Sequence, residues 1–278
     1  MTAVLTAPAE LPAVDDARVV RRRVGPGRRV PFATLVGPLL LLALWCLGSA
    51  TGLIAPETLS EPWTVVTAFQ TLIEDGRLQE NLLTSATRAG LGLALGVVVG
   101  AGLAILSGLS RLGEAVIDGP VQIKRSIPSL ALIPLLILWF GIGEQMKILT
   151  IALGVLVPIY IHTHNGLRGI DGRYAELAQT VDIRRSEFIR SVVLPGALPG
   201  FLLGLRFAVT SALLALVVVE QVNSTSGIGH MITLASSYGQ TDVIVVGLVL
   251  YAVLGLVADT TLRIIERKAL TWRRTLEG

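Results

Sequence analysis

The chain holds three histidines and one cysteine, and its only close histidine pair is His162 and His164. A metal is the ligand to consider first, but a spacing of two turns the side chains to different helix faces. No carboxylate or thiol stands close enough to complete a ligand set, so no metal site is expected. Cys46 lies alone in an apolar run and can form no internal disulfide. No Gly-x4-Gly-Lys-[Ser/Thr] loop is present to cradle a nucleotide phosphate. The remaining candidates stand in or beside long apolar runs. Arg206 lies one or two turns inside one such run, and Glu220 lies near its far end. A charge at the centre of a membrane helix costs about 2.5–3.5 kcal/mol by insertion measurements, so Arg206 is a functional candidate by default. It can snorkel or pair with a neighbouring helix, or it can draw an anion along a path. Glu220 can pair with Arg88 or meet a partner outside. Ser226 and Gly227 lie in the stretch STSGIGHMI, whose small residues let backbone line a cavity, as a turn or a short helix. With Pro134, these residues form the candidate path or gate.

The elements that must hold these residues are membrane helices. The 278 residues are 52% hydrophobic and only 15% charged, against roughly 25% charged in soluble domains. Mean hydropathy is +0.70. Aromatics are 5%, too few for the girdles of a β-barrel. The fold class is therefore an all-α membrane protein. Charge-free windows mark six spans: Val30–Pro56, Ala89–Ser110, Ser126–Gly143, Ile148–Leu167, Gly200–Val219 around Arg206, and Val243–Ala258 extended towards Ile264. A span needs about 20 residues. The third window is near the lower limit and contains Pro134, which predicts a kink or tilt.

Residues 1–31 form a basic arm with Arg18, Arg21, Arg22, Arg23, Arg28 and Arg29. The run after it is of spanning length without an obvious cleavage site, so the arm is read as disordered and cytoplasmic rather than as a signal peptide or a nucleic-acid contact. Residues 32–265 then form the membrane domain and 266–278 a cytoplasmic tail. Nineteen of the 23 Lys and Arg fall in the arm, the second and fourth loops and the tail; Arg77, Arg88 and Lys147 fall on the other side. Positive residues stay inside, so both termini are expected in the cytoplasm. The external loop from about Glu57 to Ser85 repeats Pro62, Trp63, Val66, Phe69, Leu72 and Ile73 at helical spacing, which predicts a helix along the interface or against the bundle.

Between the fourth and fifth spans stands YAELAQTVDIRRSEFIRSVVLPGALP, a charged segment that cannot face lipid. Tyr174, Leu177, Ala178 and Val181 follow i, i+3, i+4, i+7 and form one apolar stripe. Asp182 suits the turn after this helix, because Asp tolerates left-handed backbone. A second helical stretch is expected to end at Leu194-Pro195, with a further break at Pro199. The bland reading is a loop lying in the lipid headgroups. The mixture of acids and bases favours instead a groove on another protein, since a lipid-seeking helix would be mainly basic.

These residues carry a family resemblance. Glu176-Leu177-Ala178, three residues, Asp182, eleven residues and Leu194-Pro195 resemble the cytoplasmic "EAA" signature of ABC-importer permeases, in which Leu177 replaces an Ala and Asp182 a Gly. The stretches SIPSLALIPLLILWFGIGE (Ser126–Glu144), GALPGFLLGLRFA (Gly196–Ala208) and VVVEQVNSTSGIGHMI (Val217–Ile232) are similar to the subgroup importing nitrate, sulfonates and taurine. The resemblance implies the type I importer fold, a homodimer with its path at the two-fold interface, and a coupling hairpin at 172–195. One cytoplasmic ATPase subunit would grip each hairpin, holding the ATP and Mg; this chain would bind no cofactor and hydrolyse nothing itself. An external or periplasmic binding protein would deliver the solute across the cytoplasmic membrane. The third and fifth spans would line the path. The rival readings are an ion-coupled secondary transporter, which needs ionisable residues at mid-membrane, and a membrane enzyme, which needs a polar cluster at one depth. The sequence shows neither, and an anchoring protein would leave the hairpin without a purpose.

Overall fold

The computed structural model describes residues 33–271; the basic arm, the start of the first apolar window and the last seven residues lie outside it. The described residues are helices without a strand: α1 (Ala33–Ala50), α2 (Pro62–Glu74), α3 (Arg77–Leu109), α4 (Arg111–Ser126), a 3-10 turn (Ser129–Leu132), α5 (Ile133–Phe140), α6 (Glu144–Arg168), α7 (Gly172–Thr180), α8 (Arg185–Phe188), a π turn (Ile189–Val193), α9 (Leu194–Asn223), α10 (Ile228–Ser237) and α11 (Thr241–Ala269). Four helices are long and apolar enough to cross a membrane, or five if the bent pair α4 and Ser129–Phe140 counts as one. The chain divides into a first unit ending at Leu44 and a second from Trp45 to the C-terminus. The first holds most of α1; everything below concerns the second.

Helices α3, α6 and α9 build the core. Small residues set their spacing, since apolar area gives no drive for helix association within lipid. Gly92, Gly96, Gly100 and Ala104 fall on one buried face of α3. A Cβ added at Gly96 would stand 2.6 Å from the Val155 side chain and 2.7 Å from the Ala152 carbonyl, and Gly100 meets Leu156 and Ile159 four residues on. α3 and α6 therefore run side by side in the same direction. α9 runs the opposite way, with Gly200 against His162 and Gly204 against Pro158. Ile151, Val155, Ile159, Ala208, Ala212 and Leu216 fill the space between them.

Three expectations change. The prolines at 195 and 199 do not end the hairpin's second arm: helix runs from Arg185 to Val222 without interruption. A π turn at Ile189–Val193 lies just before Pro195. Its wider winding makes room for a ring that would otherwise strike the preceding turn. The third window is not one kinked span. The bend is 91° and falls at Ile127 and Pro128, whose ψ angles are 117° and 128°; Pro134 sits harmlessly in the first turn of α5. The loop expected from about Glu57 to Ser85 is shorter, because α3 begins at Arg77. α2 does pack on the bundle, but through Val65 and Leu72 against α10 and α11, while Trp63 and Val66 face outward.

Candidate functional site

The hairpin is capped at both ends of its first helix. Asp171 caps α7, accepting from the Arg173 backbone N–H at 3.0 Å. The Arg173 guanidinium also bonds it, and this holds the Asp171 carboxyl below its usual range. At the other end the Ile183 N–H reaches the Ala178 carbonyl at 2.9 Å and the Asp182 N–H the Gln179 carbonyl at 3.2 Å. That pair of bonds is a Schellman motif, which requires a left-handed residue just past the cap. Asp182 is that residue, with φ 53°, and it has the only positive φ of any non-glycine described. Its carboxylate makes no hydrogen bond among the described residues.

The stripe of the hairpin splits. Ala178 is buried, but Tyr174, Leu177 and Val181 are 56%, 59% and 59% exposed, and Glu176 faces outward with them. Three large apolar side chains on α7 and its C-cap are therefore left more than half exposed among the described residues. Beside them lies a groove of about 490 Å³ bounded by Ile170, Tyr174, Val192 and Pro195. Leu194 is half-exposed and leads into α9.

At the opposite end of the bundle, charges scattered through the sequence converge. Arg88 lies between two carboxylates: Nη1 meets Glu220 at 2.8 Å, while Nε and Nη2 form a fork on Glu144 at 2.6 and 2.7 Å. Arg88 also donates to the Ser226 carbonyl at 2.6 Å. Glu220 is fully buried. It accepts further from Ser85 Oγ, Tyr251 Oη and the Gly229 N–H. Gly227 donates to Asn81 Oδ1 at 2.7 Å and Ile228 to Ser85 Oγ at 2.8 Å. The first N–H groups of α10, orphaned by helix geometry, are thus bonded by side chains of α3 and α9. The buried carboxylate stands where the helix dipole favours a negative charge. Lys147 closes the network on Glu144 at 2.9 Å. The cluster fixes α3, α6, α9, α10 and α11 at one level.

The comparisons with known proteins agree with this architecture. The family model for the "Binding-protein-dependent transport system inner membrane component" matches residues 92–271. The chain belongs to that family. It is 40% identical to the putative aliphatic sulfonates transport permease protein SsuC of Bacillus subtilis, over 95% of both chains. It is 44% identical to the protein of the same description in Escherichia coli, over 84% of this chain and 89% of that one. The taurine transport system permease protein TauC of Escherichia coli is 32% identical over 84% and 86%. Among solved structures, an amino acid ABC transporter superposes with a TM-score of 0.59 at 17% identity, covering 73% of this chain and 96% of that one. An inward-facing MetNI methionine ABC transporter superposes at 0.54 and 20%, over 66% and 94%. The protein is an ABC-transporter permease of the inner membrane.

In this permease the remaining candidates separate. Arg206 pairs with Asp259 of α11 at 3.3 Å, and Asp259 also holds Arg263 at 2.7 Å. Both border a cavity of about 280 Å³ between α9 and α11. Pro134 is exposed and touches none of these groups. His162 stacks on Phe207 at 5.1 Å and His164 on Tyr160 at 5.5 Å. The sequence reading placed Arg88 and Lys147 in external loops and found no polar cluster at one depth. Both residues are instead buried within helices, at 2% and 4% exposure, and the cluster exists. The pairing of Glu220 with Arg88 that the sequence suggests is present; Glu144, Lys147, Ser85 and Tyr251, which complete the cluster, carried no such signal.

Proposed function

We propose that this chain is the membrane subunit of an ATP-driven importer for small organic sulfonates, working as a homodimer. The observation that carries the reading is the outward row Tyr174, Leu177 and Val181 on a capped helix, one tight turn before the helix that runs unbroken from Arg185 to Val222. An ATPase subunit on each hairpin would bury that row, and a push on α8 would travel along an unbroken helix into the membrane. ATP and Mg would belong to those two subunits, and this chain would bind neither. An external binding protein would present the solute at the end where Arg88 and Glu220 lie. The 40% and 44% identities to sulfonate permeases over most of their length support the solute class.

The topology follows the positive-inside rule. α1, α3, the broken pair of α4 and α5, α6, α9 and α11 would be the six spans, with both termini and the 172–195 hairpin in the cytoplasm. The path would run between the two copies, beside the third and fifth spans, with Pro134 and Arg206 as lining candidates. Glu220, Ser226 and Gly227 would serve as a lock at the outer mouth rather than as an open lining.

An ion-coupled carrier is favoured by one observation, the buried Arg88–Glu220–Glu144 cluster. Uptake of radiolabelled ethanesulfonate into proteoliposomes holding the permease, its ATPase and its binding protein separates the two readings. Uptake should need ATP on the hairpin side and persist when ionophores collapse all ion gradients. Uptake driven by a gradient without ATP would refute the importer.

A further inference from the structure

α4 climbs along α6 from the hairpin end. Glu114 pairs with Arg168, the Tyr160 hydroxyl bonds Asp118 Oδ1 at 3.2 Å, and the Lys124 ammonium donates to the Leu153 carbonyl at 2.5 Å. Leu153 is nine residues from the start of α6 and fifteen from its end, about 13 and 22 Å along the axis at ~1.5 Å per residue. Lys124, which the sequence reading counted in a cytoplasmic loop, therefore carries its charge well inside the span. It does so where the chain breaks at Ile127–Pro128. The neighbouring turn of α6 is weakened too, because Pro158 leaves the Gly154 carbonyl without its helical donor.

Three cations inside the spans are matched by carboxylates: Arg88 by Glu144 and Glu220, Lys147 by Glu144, Arg206 by Asp259. Arg125 has no carboxylate partner among the described residues but is exposed; the half-buried Lys124 has none either. Its partners are neutral oxygens, the Leu153 carbonyl and Ser129 Oγ at 2.6 Å. Lys124 is only half-buried, and Ile127 and Pro128 beside it are exposed. A Cβ at Gly154 would stand 4.0 Å from Ser129 Oγ and 3.8 Å from the Ser211 carbonyl, so the third span meets α6 and α9 at this point. A membrane-embedded charge with neutral partners, at a broken helix of intermediate depth, is the arrangement by which transporters hold a charged solute in passage.

We propose that Lys124, with Ser129, forms an anion-binding station midway along the path and takes the sulfonate head of the solute. The station rests on the importer reading above and adds a site to it. Its test uses the complete complex with Cys46→Ala as the reference, Lys124→Cys added, and ATP-driven ethanesulfonate uptake compared at equal assembly. Uptake should fall at least tenfold. Attaching an aminoethylthio group to the new thiol, which restores a cation at nearly the lysine length, should recover most of it, whereas a neutral methylthio group should not. Equal effects of the two adducts, or undiminished uptake in Lys124→Cys, would overturn the station while leaving the importer intact. Should the thiol variant fail to assemble, Lys124→Arg should keep uptake within threefold and Lys124→Met should lose tenfold; equal rates would overturn the station. A reference complex without ATP-driven uptake would overturn the importer reading, and the station with it.

Discussion

The Glu220 carboxylate meets the Arg88 guanidinium at 2.8 Å, 132 residues apart in the chain and with both side chains almost wholly out of solvent. Removing one member of such a pair leaves the other charge buried, at a cost of about 3–5 kcal/mol. Arg88 would keep the fork on Glu144, whose side chain is half-exposed, so the loss falls at the lower end for Glu220→Met. Thermal unfolding in detergent should show Arg88→Met and Glu220→Met each strongly destabilised, and the double variant less so than the sum. Additive losses would mean that the two groups act separately.

Asp182 is strained by its left-handed backbone, a conformation that costs an L-residue roughly 1–2 kcal/mol and glycine almost nothing. Asp182→Gly should keep or raise stability and keep transport, and Asp182→Asn should behave like the parent. Asp182→Val should lose transport, because a β-branched residue resists positive φ and the Schellman bonds from Asp182 and Ile183 would break. Uptake and ATPase rates at matched expression decide this. Failure of Gly and Asn together with loss of the ATPase would make the Asp182 carboxylate a partner contact instead.

The two kinds of residue on α7 should respond differently. Leu177→Asp alters only an exposed side chain; the chain should fold, and the ATPase should no longer co-purify. Ala178→Asp puts a carboxylate on the buried face and should unsettle the hairpin itself, seen as proteolysis between 170 and 185. Glu176→Lys should fold normally and weaken assembly, most plainly at low salt. Co-purification unchanged in Leu177→Asp would remove the row from the interface.

Glycines on opposite faces of α3 offer a paired control. Gly96→Leu would drive a side chain into Val155 and Ala152, an overpacking worth about 1–3 kcal/mol or more. Gly102 has open space around it, and Gly102→Leu should be neutral within about 0.5 kcal/mol. Melting temperatures of the two variants, read side by side, test the packing of α3 on α6.

The sequence revealed the local features and few of those that depend on tertiary contact, the Arg88–Glu220 pair among them. The apolar windows over α3, α6, α9 and α11 were legible because lipid enforces long uncharged helices. The turn at Asp182 was legible because its left-handed demand is met within six residues. The span broken at Ile127–Pro128 was not, since its first half, Arg111–Ser126, carries five charged residues and reads as a loop. The continuous helix through Pro195 was hidden because a π turn, which no short pattern announces, absorbs the ring. The Arg88 cluster draws on five helices, and no single window of sequence holds all of its members.

The central claim is that the α7 row is covered by an ATPase, and the reactivity of one thiol tests it most directly. With Cys46→Ala as background, Leu177→Cys would be treated with a small maleimide in the natively purified complex, then again after the ATPase is stripped away. The expected result is slow labelling in the complex and at least tenfold faster labelling after stripping. Equal and rapid labelling in both states, with the ATPase still bound in the first, would show that the hairpin is not where the partner sits.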